Sequence, residues 1–181
     1  NHLSHLIMAY FGDGDRWGIK LDYSFEEDPL STIGPLTLID DLPDDFLVMN
    51  GDILCDLDYR KFFEEHLSLG ADVSVSTFKR EVKIDFGVLE VDADNQLKAF
   101  KEKPTYNFDV SMGIYCLNKL VVDGLKKGES YGFDDLMLDG LKGRVTIKVH
   151  PFDGYWLDIG RPDDYQYADD NFDALSKRLG I

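Results

Sequence analysis

The tightest constraint in this chain is a four-residue apolar run, Phe46-Leu47-Val48-Met49, that stops at once in Asn50-Gly51-Asp52. A run so short and so uniformly apolar reads as a strand buried on both faces, as in a parallel sheet covered by helices. Gly51 suits a sharp turn and the close approach of a ligand, and a carboxylate follows it directly. Elements of both kinds surround this strand. The segment from His2 to Phe11 carries apolar residues at 3, 6, 7, 10 and 11, a helical period that ends in Gly12-Asp13-Gly14-Asp15. Gly18 to Tyr23 alternates with period two and predicts a strand, and a loop from Glu26 to Leu36 leads into a short helix near Ile39. Asp58 caps a predicted helix through about Leu69, on whose surface His66 would sit. Strands are expected over 71–78, 85–91, 96–100, 110–117 and 145–149, with Asp92-Ala93-Asp94-Asn95 as a hairpin turn. Helices are expected over 118–127, 133–141 and from Asp163 to about Leu179. The pattern predicts one α/β domain over 1–181, a mainly parallel sheet with an antiparallel hairpin inserted.

Charge then narrows the partners. Acidic residues number 35 against 19 basic ones, a formal net charge of −16. That disfavours nucleic acid and anionic membrane as partners, since both call for basic surface. Apolar residues make up 44% of the chain, enough for a packed core. Cys55 and Cys116 have neither metal-ligand spacing nor a disulfide framework, so a reducing cytoplasm is the expected setting. The chain opens at Asn1, inside what reads as a packed helix, which predicts a missing front end.

In open α/β sheets ligands bind beyond the carboxyl ends of strands. Asp52 stands at such an end, and a strand-end carboxylate suits Mg²⁺, although Asn-Gly-Asp is also a common turn. In Gly154-Tyr155-Trp156-Leu157-Asp158-Ile159-Gly160-Arg161-Pro162 a single Asp interrupts an apolar run, so Asp158 needs a hydrogen-bonding partner or a metal. Glu102-Lys103-Pro104 reads either as a surface ion pair or as a sugar and phosphate contact. Gly87, between Phe86 and Val88, marks a bulge or a close approach to the backbone. His2, His5, His66 and His150 lie scattered, and no nucleophile stands beside a base. Asp56-Leu57-Asp58 has the Asp-x-Asp form of glycosyltransferase metal motifs, but a helix should begin there, and both acids read as caps.

In this order the segments resemble the sugar-1-phosphate nucleotidyltransferases, most closely their mannose-1-phosphate guanylyltransferase-like branch. The resemblance rests on Tyr10-Phe11-Gly12-Asp13-Gly14 with Trp17-Gly18-Ile19, the loop Glu26 to Gly34, Asn50-Gly51-Asp52 and Phe86-Gly87-Val88. It continues through Glu102-Lys103-Pro104, Ser111-Met112-Gly113-Ile114-Tyr115 and Trp156-Leu157-Asp158-Ile159-Gly160. It implies a Rossmann-like nucleotide-diphospho-sugar transferase fold. It also implies nucleotidyl transfer from a nucleoside triphosphate to a sugar 1-phosphate, with GTP and mannose 1-phosphate as first expectation. Asp52 and Asp158 would hold Mg²⁺, Thr32 and Gly34 would lie by the nucleotide with Asp52, and Gly87, Glu102, Lys103 and Ser111 would take the sugar phosphate. The family's Gly-Gly-x-Gly-Thr-Arg loop is not in this sequence, so the chain alone is expected to be inactive. Ser31 and Ile33 replace the usual Gly and Ala of the nucleotide loop, and Ser111-Met112 replaces Asn-Ala. Base and sugar therefore stay open, with thymidylyl-, uridylyl- or cytidylyltransfer as alternatives, beside a non-catalytic subunit that binds nucleotide sugar. Assembly into a homo-oligomer is also left open.

Overall fold

The structure is a computed structural model and describes residues 3–180, which leaves Asn1, His2 and Ile181 outside it. Its strands are β1 (Asp45–Met49), β2 (Ile53–Cys55), β3 (Val73–Lys83), β4 (Val88–Val91), β5 (Leu97–Lys101), β6 (Thr105–Asn118), β7 (Ile147–Phe152) and β8 (Trp156–Asp158). Its helices are α1 (Ser4–Phe11), α2 (Tyr59–Leu69), α3 (Lys119–Asp123), α4 (Phe133–Leu141), α5 (Pro162–Asp170) and α6 (Phe172–Leu179). The main sheet is mixed and runs β1-β6-β3-β7, with two antiparallel pairs apart from it, β2-β8 and β4-β5. Contacts divide the chain into two compact units. One holds the chain through Phe46 with Leu69–Val73 and Cys116–Ile147; the other holds Leu47–Ser68, Ser74–Tyr115 and the chain from Lys148 onward.

In the first unit, Leu30, Ile33, Val121, Val122 and Leu136 are among the buried apolar residues. Helix α1 has the expected period but buries none of its residues, so its apolar stripe is exposed rather than packed. The strand expected over 18–23 does not form. Its amides close a turn instead, with Leu21 N–H donating to Asp13 O at 2.8 Å and Ile19 N–H to Gly14 O at 3.3 Å. Gly14 fits because its φ is +91° and a Cβ there would meet Ile19 O at 2.4 Å. The short helix near Ile39 is a single 3₁₀ segment, Gly34–Leu38. The helix expected over 118–127 ends at Asp123, where Gly124 and then Gly128 at φ +75° turn the chain.

In the second unit, β6 buries Met112 to Tyr115, and Val75, Phe62 and His66 join them. His66 corrects the expectation of a surface histidine: it is 1% exposed, with Nδ1 2.8 Å from Ser74 Oγ. Asp58 caps α2 as read, its Oδ1 accepting Lys61 N–H at 3.0 Å. Asp56 is not a cap. It accepts Tyr155 N–H and pairs with Arg178 Nε at 3.2 Å, and the Arg178 guanidinium lies over the Tyr155 ring. The hairpin β4-β5 forms as read, its turn held by Asp92 Oδ1, which accepts from the N–H groups of Asp94 and Gln96. The long terminal helix is two helices, broken at Asn171, whose backbone (φ −111°, ψ 17°) leaves the helical region.

Candidate active site

Strands β2 and β8 fell outside the period-based reading, and they are the elements that carry the two aspartates. Three residues each are too few to show alternation. Their register pairs Ile53 with Asp158, Leu54 with Leu157 and Cys55 with Trp156, and Ile159 N–H extends the ladder to Asp52 O at 2.9 Å. A regular ladder would send side chains 52 and 158 to opposite faces. The ladder ends here, however, and both chains turn. Asp158 Oδ1 swings back to accept Gly160 N–H at 2.9 Å. As a result Asp158 Oδ1 and Asp52 Oδ2 each lie 3.0 Å from the point where a Cβ on residue 160 would sit. The two oxygens are thus at most about twice that distance apart, across a gap beside Gly160.

Both aspartates are exposed, and neither forms an ion pair among the described residues. Like charges so placed repel, and a cation between them removes the repulsion. Among the described residues no group of three or more His, Cys, Asp or Glu could hold a metal. A two-carboxylate cradle with room beside it fits Mg²⁺ better than a fully protein-ligated ion, because Mg²⁺ keeps waters and takes the rest of its ligands from substrate phosphates.

The approach to Asp52 is fixed from β6. Asn50 N–H donates to Gly113 O at 2.9 Å, and a Cβ on Gly113, whose φ is +74°, would stand 2.7 Å from Asn50 Nδ2. Gly51, by contrast, is not in the left-handed region, and nothing lies within 4 Å of its would-be Cβ. The turn therefore does not require a glycine there. Trp156 Nε1 donates to Met112 O at 3.1 Å, tying β8 to the same stretch of β6. Ser111 Oγ accepts Gly113 N–H at 3.2 Å and stands 3.2 Å from Tyr115 OH. Burial pushes the Tyr115 phenol up, with the Ser111 contact opposing.

Gly87 and Glu102 face each other across the hairpin. A Cβ on Gly87 would meet the Phe100 ring at 2.6 Å and Glu102 Oε2 at 3.3 Å. Lys103 follows with φ +42°, a strained value for a lysine, and its ammonium forms no ion pair among the described residues. The surface ion pair read for Glu102-Lys103 is therefore not formed.

Thr32 and Gly34 lie in the first unit, whereas the other six candidates lie in the second. Thr32 Oγ1 accepts Phe133 N–H at 2.8 Å at the start of α4. Gly34 is buried, and a Cβ there would meet Glu129 O at 2.6 Å. Its glycine is thus accounted for by packing within the unit. Ser31 has φ +66°, a backbone value that favours glycine. Cys116 shows no activation: burial, then the Asp45 charge, pushes its thiol up to about 12.

With this geometry in place, the comparisons define the class. The nucleotidyl transferase family matches residues 1–174. The chain belongs to that family. D-glycero-alpha-D-manno-heptose 1-phosphate guanylyltransferase of Aneurinibacillus thermoaerophilus is 32% identical, over 90% of this chain and 71% of its own length. Mannose-1-phosphate guanylyltransferase catalytic subunit beta of Drosophila pseudoobscura pseudoobscura is 28% identical over 84% of this chain, which spans only 43% of that protein. Among solved structures, HddC from Yersinia pseudotuberculosis complexed with GMP-PN superposes with a TM-score of 0.65 at 27% identity. It covers 93% of this chain and 74% of its own.

Proposed function

We propose that this protein transfers a nucleotidyl group from a nucleoside triphosphate to a sugar 1-phosphate, releasing pyrophosphate, with GTP and mannose 1-phosphate or a related sugar as substrates. The observation that carries the reading is the convergence of Asp52 and Asp158 on Gly160. The named activities of the guanylyltransferase relatives support it, as does the structural neighbour that holds a guanine nucleotide analogue.

A sugar phosphate is an anionic nucleophile at neutral pH and needs no general base. Catalysis then rests on alignment and charge stabilisation. Asp52 and Asp158 would hold Mg²⁺, which when bound screens two anionic substrates and polarises the α-phosphate. Glu102 would accept hydroxyls of a sugar that approaches Gly87. Lys103 would meet the sugar's phosphate as a point charge. Ser111 would face the sugar with a hydroxyl already engaged by Gly113 N–H and Tyr115 OH. Thr32 and Gly34 would shape the nucleotide loop, and Ser31, Ile33 and Ser111 are the positions where base and sugar choice would depart from relatives.

The test is pyrophosphate release by the protein, with whatever residues its gene places upstream of Asn1, against a panel of nucleoside triphosphates and sugar 1-phosphates. Release with one pair, lowered at least about a hundredfold by Asp52→Asn and by Asp158→Asn, is the expected result. Release with no pair defeats the reading. Release with UTP or dTTP in place of GTP corrects the base alone.

A further inference from the structure

The hairpin β4-β5, which lies within the second unit, turns its apolar face outward. Its register sets Leu89 opposite Phe100 and Val91 opposite Leu97, so these four side chains share one face. The other face carries Val88 opposite Lys101 and Glu90 opposite Ala99, and Lys101 Nζ pairs there with Glu90 Oε1 at 3.1 Å. Exposure runs against polarity. Leu89, Val91, Leu97 and Phe100 are 60%, 57%, 62% and 56% exposed, whereas Val88 and Ala99 are half-buried. An antiparallel sheet ordinarily packs its apolar face and leaves its polar face to water, and a two-stranded ribbon is marginal unless that face is covered.

Area and charge select the cover. At roughly 100 Å² each, the four side chains leave about 400 Å² of contiguous apolar surface, the size that marks an interaction site. Two copies set face to face would remove about 800 Å² of it. With the polar rim that accompanies such a core the contact reaches about 1,200 Å², the lower bound of a stable interface. Charge favours the same occupant. Residues 79–104 carry six basic and six acidic side chains, so the remainder of the chain holds the whole net charge of −16. The hairpin is therefore the stretch on which a second, equally acidic copy meets no net like-charge repulsion. A face of four uncharged apolar side chains is also complementary to itself, as a two-fold contact requires. We infer that this hairpin face is a homodimer interface, on which a second copy of the chain docks through Leu89, Val91, Leu97 and Phe100. Gly87 and Glu102 continue the hairpin at its inner end, so the docked copy would border the proposed sugar position.

Sedimentation equilibrium of the protein, with whatever residues its gene places upstream of Asn1, tests this. A dimer should form in the micromolar range. Leu89→Glu and Leu97→Glu should each raise its dissociation constant at least about tenfold, because each sets a carboxylate in an apolar contact. Leu141→Glu, at a position 86% exposed on α4, should leave it unchanged. The two hairpin sites are exposed, so melting temperatures measured at monomeric concentration should match the parent's. Raising salt from 50 to about 500 mM should hold or tighten the dimer, since the contact is apolar and the net repulsion is screened. Amide hydrogen exchange of the unsubstituted protein gives a readout free of mutation: residues 88–101 should slow as concentration rises through the dimer range, and α4 should not. The inference is overturned if the protein stays monomeric at about 100 μM, if neither hairpin variant weakens the dimer, if salt dissociates it, or if protection appears away from the hairpin alone. Pyrophosphate release tests the transferase reading, which stands or falls separately.

Discussion

Gly160 is the residue on which the proposed chemistry turns. A methyl there would sit 3.0 Å from a carboxylate oxygen of each aspartate, tighter than ordinary contact. Both carboxylates are exposed side chains that can rotate away, so the cost falls on their geometry rather than on stability. Gly160→Ala should lower pyrophosphate release about a hundredfold while shifting the melting temperature little, which a rate assay and a thermal melt check together. Gly113 is the opposite case. A side chain there must adopt φ +74° and push on Asn50. Gly113→Ala should destabilise the fold by about 1–3 kcal/mol, measured by urea unfolding.

At the scale of elements, short pieces are held by single polar contacts. Helix α3 has five residues, too few to be stable from propensity. Asn118 fastens it: its Oδ1 accepts Leu120 N–H at 3.0 Å, and its Nδ2 donates to Asp45 at 2.9 Å, joining the helix start to β1. Asn118→Ala should cost about 1–2 kcal/mol in chemical denaturation. The pair β2-β8 is shorter still, and Asp56 anchors it through Tyr155 N–H and Arg178. Periodicity found the long elements, such as α2, β6 and the hairpin, because many residues vote for one period. It missed β2 and β8, and it placed a strand at 18–23 where the alternating residues have no partner strand among the described residues. A strand needs a neighbour, and sequence alternation does not supply one.

At the scale of the whole molecule, several weak acids are held protonated by burial. Burial, then Asp45, raises Cys116 from 9.0 to about 12; burial, then Asp139, raises Tyr131 from 10.0 to about 12. Tyr59 moves up for the same first reason, with Cys55 adding to it. Because these values are raised on folding, their contribution is fully present below pH 9 and is lost as pH climbs towards 12. The urea midpoint should fall across that window, and Cys116→Ala should flatten the lower part of the fall. A net charge of −16 adds self-repulsion, so moderate salt should raise the melting temperature at pH 8.

The amino-acid sequence by itself determined the α/β class, the strand that delivers Asp52, the hairpin flanked by Gly87 and Glu102, and the order of motifs that marks the family. These are properties of local period, turn chemistry and composition, and they survive without knowledge of what lies across the sheet. It misjudged that strand as buried on both faces, since β1 lies at the sheet edge with Leu47 39% and Met49 47% exposed. Only the tertiary structure decided that Asp52 and Asp158, 106 positions apart by their numbers, close on one glycine. It also decided that His66 is interior and that the apolar face of the hairpin is left open. Each of those depends on which strand lies beside which, and pairing between distant segments is set by the packing of the whole rather than by any pattern within a segment.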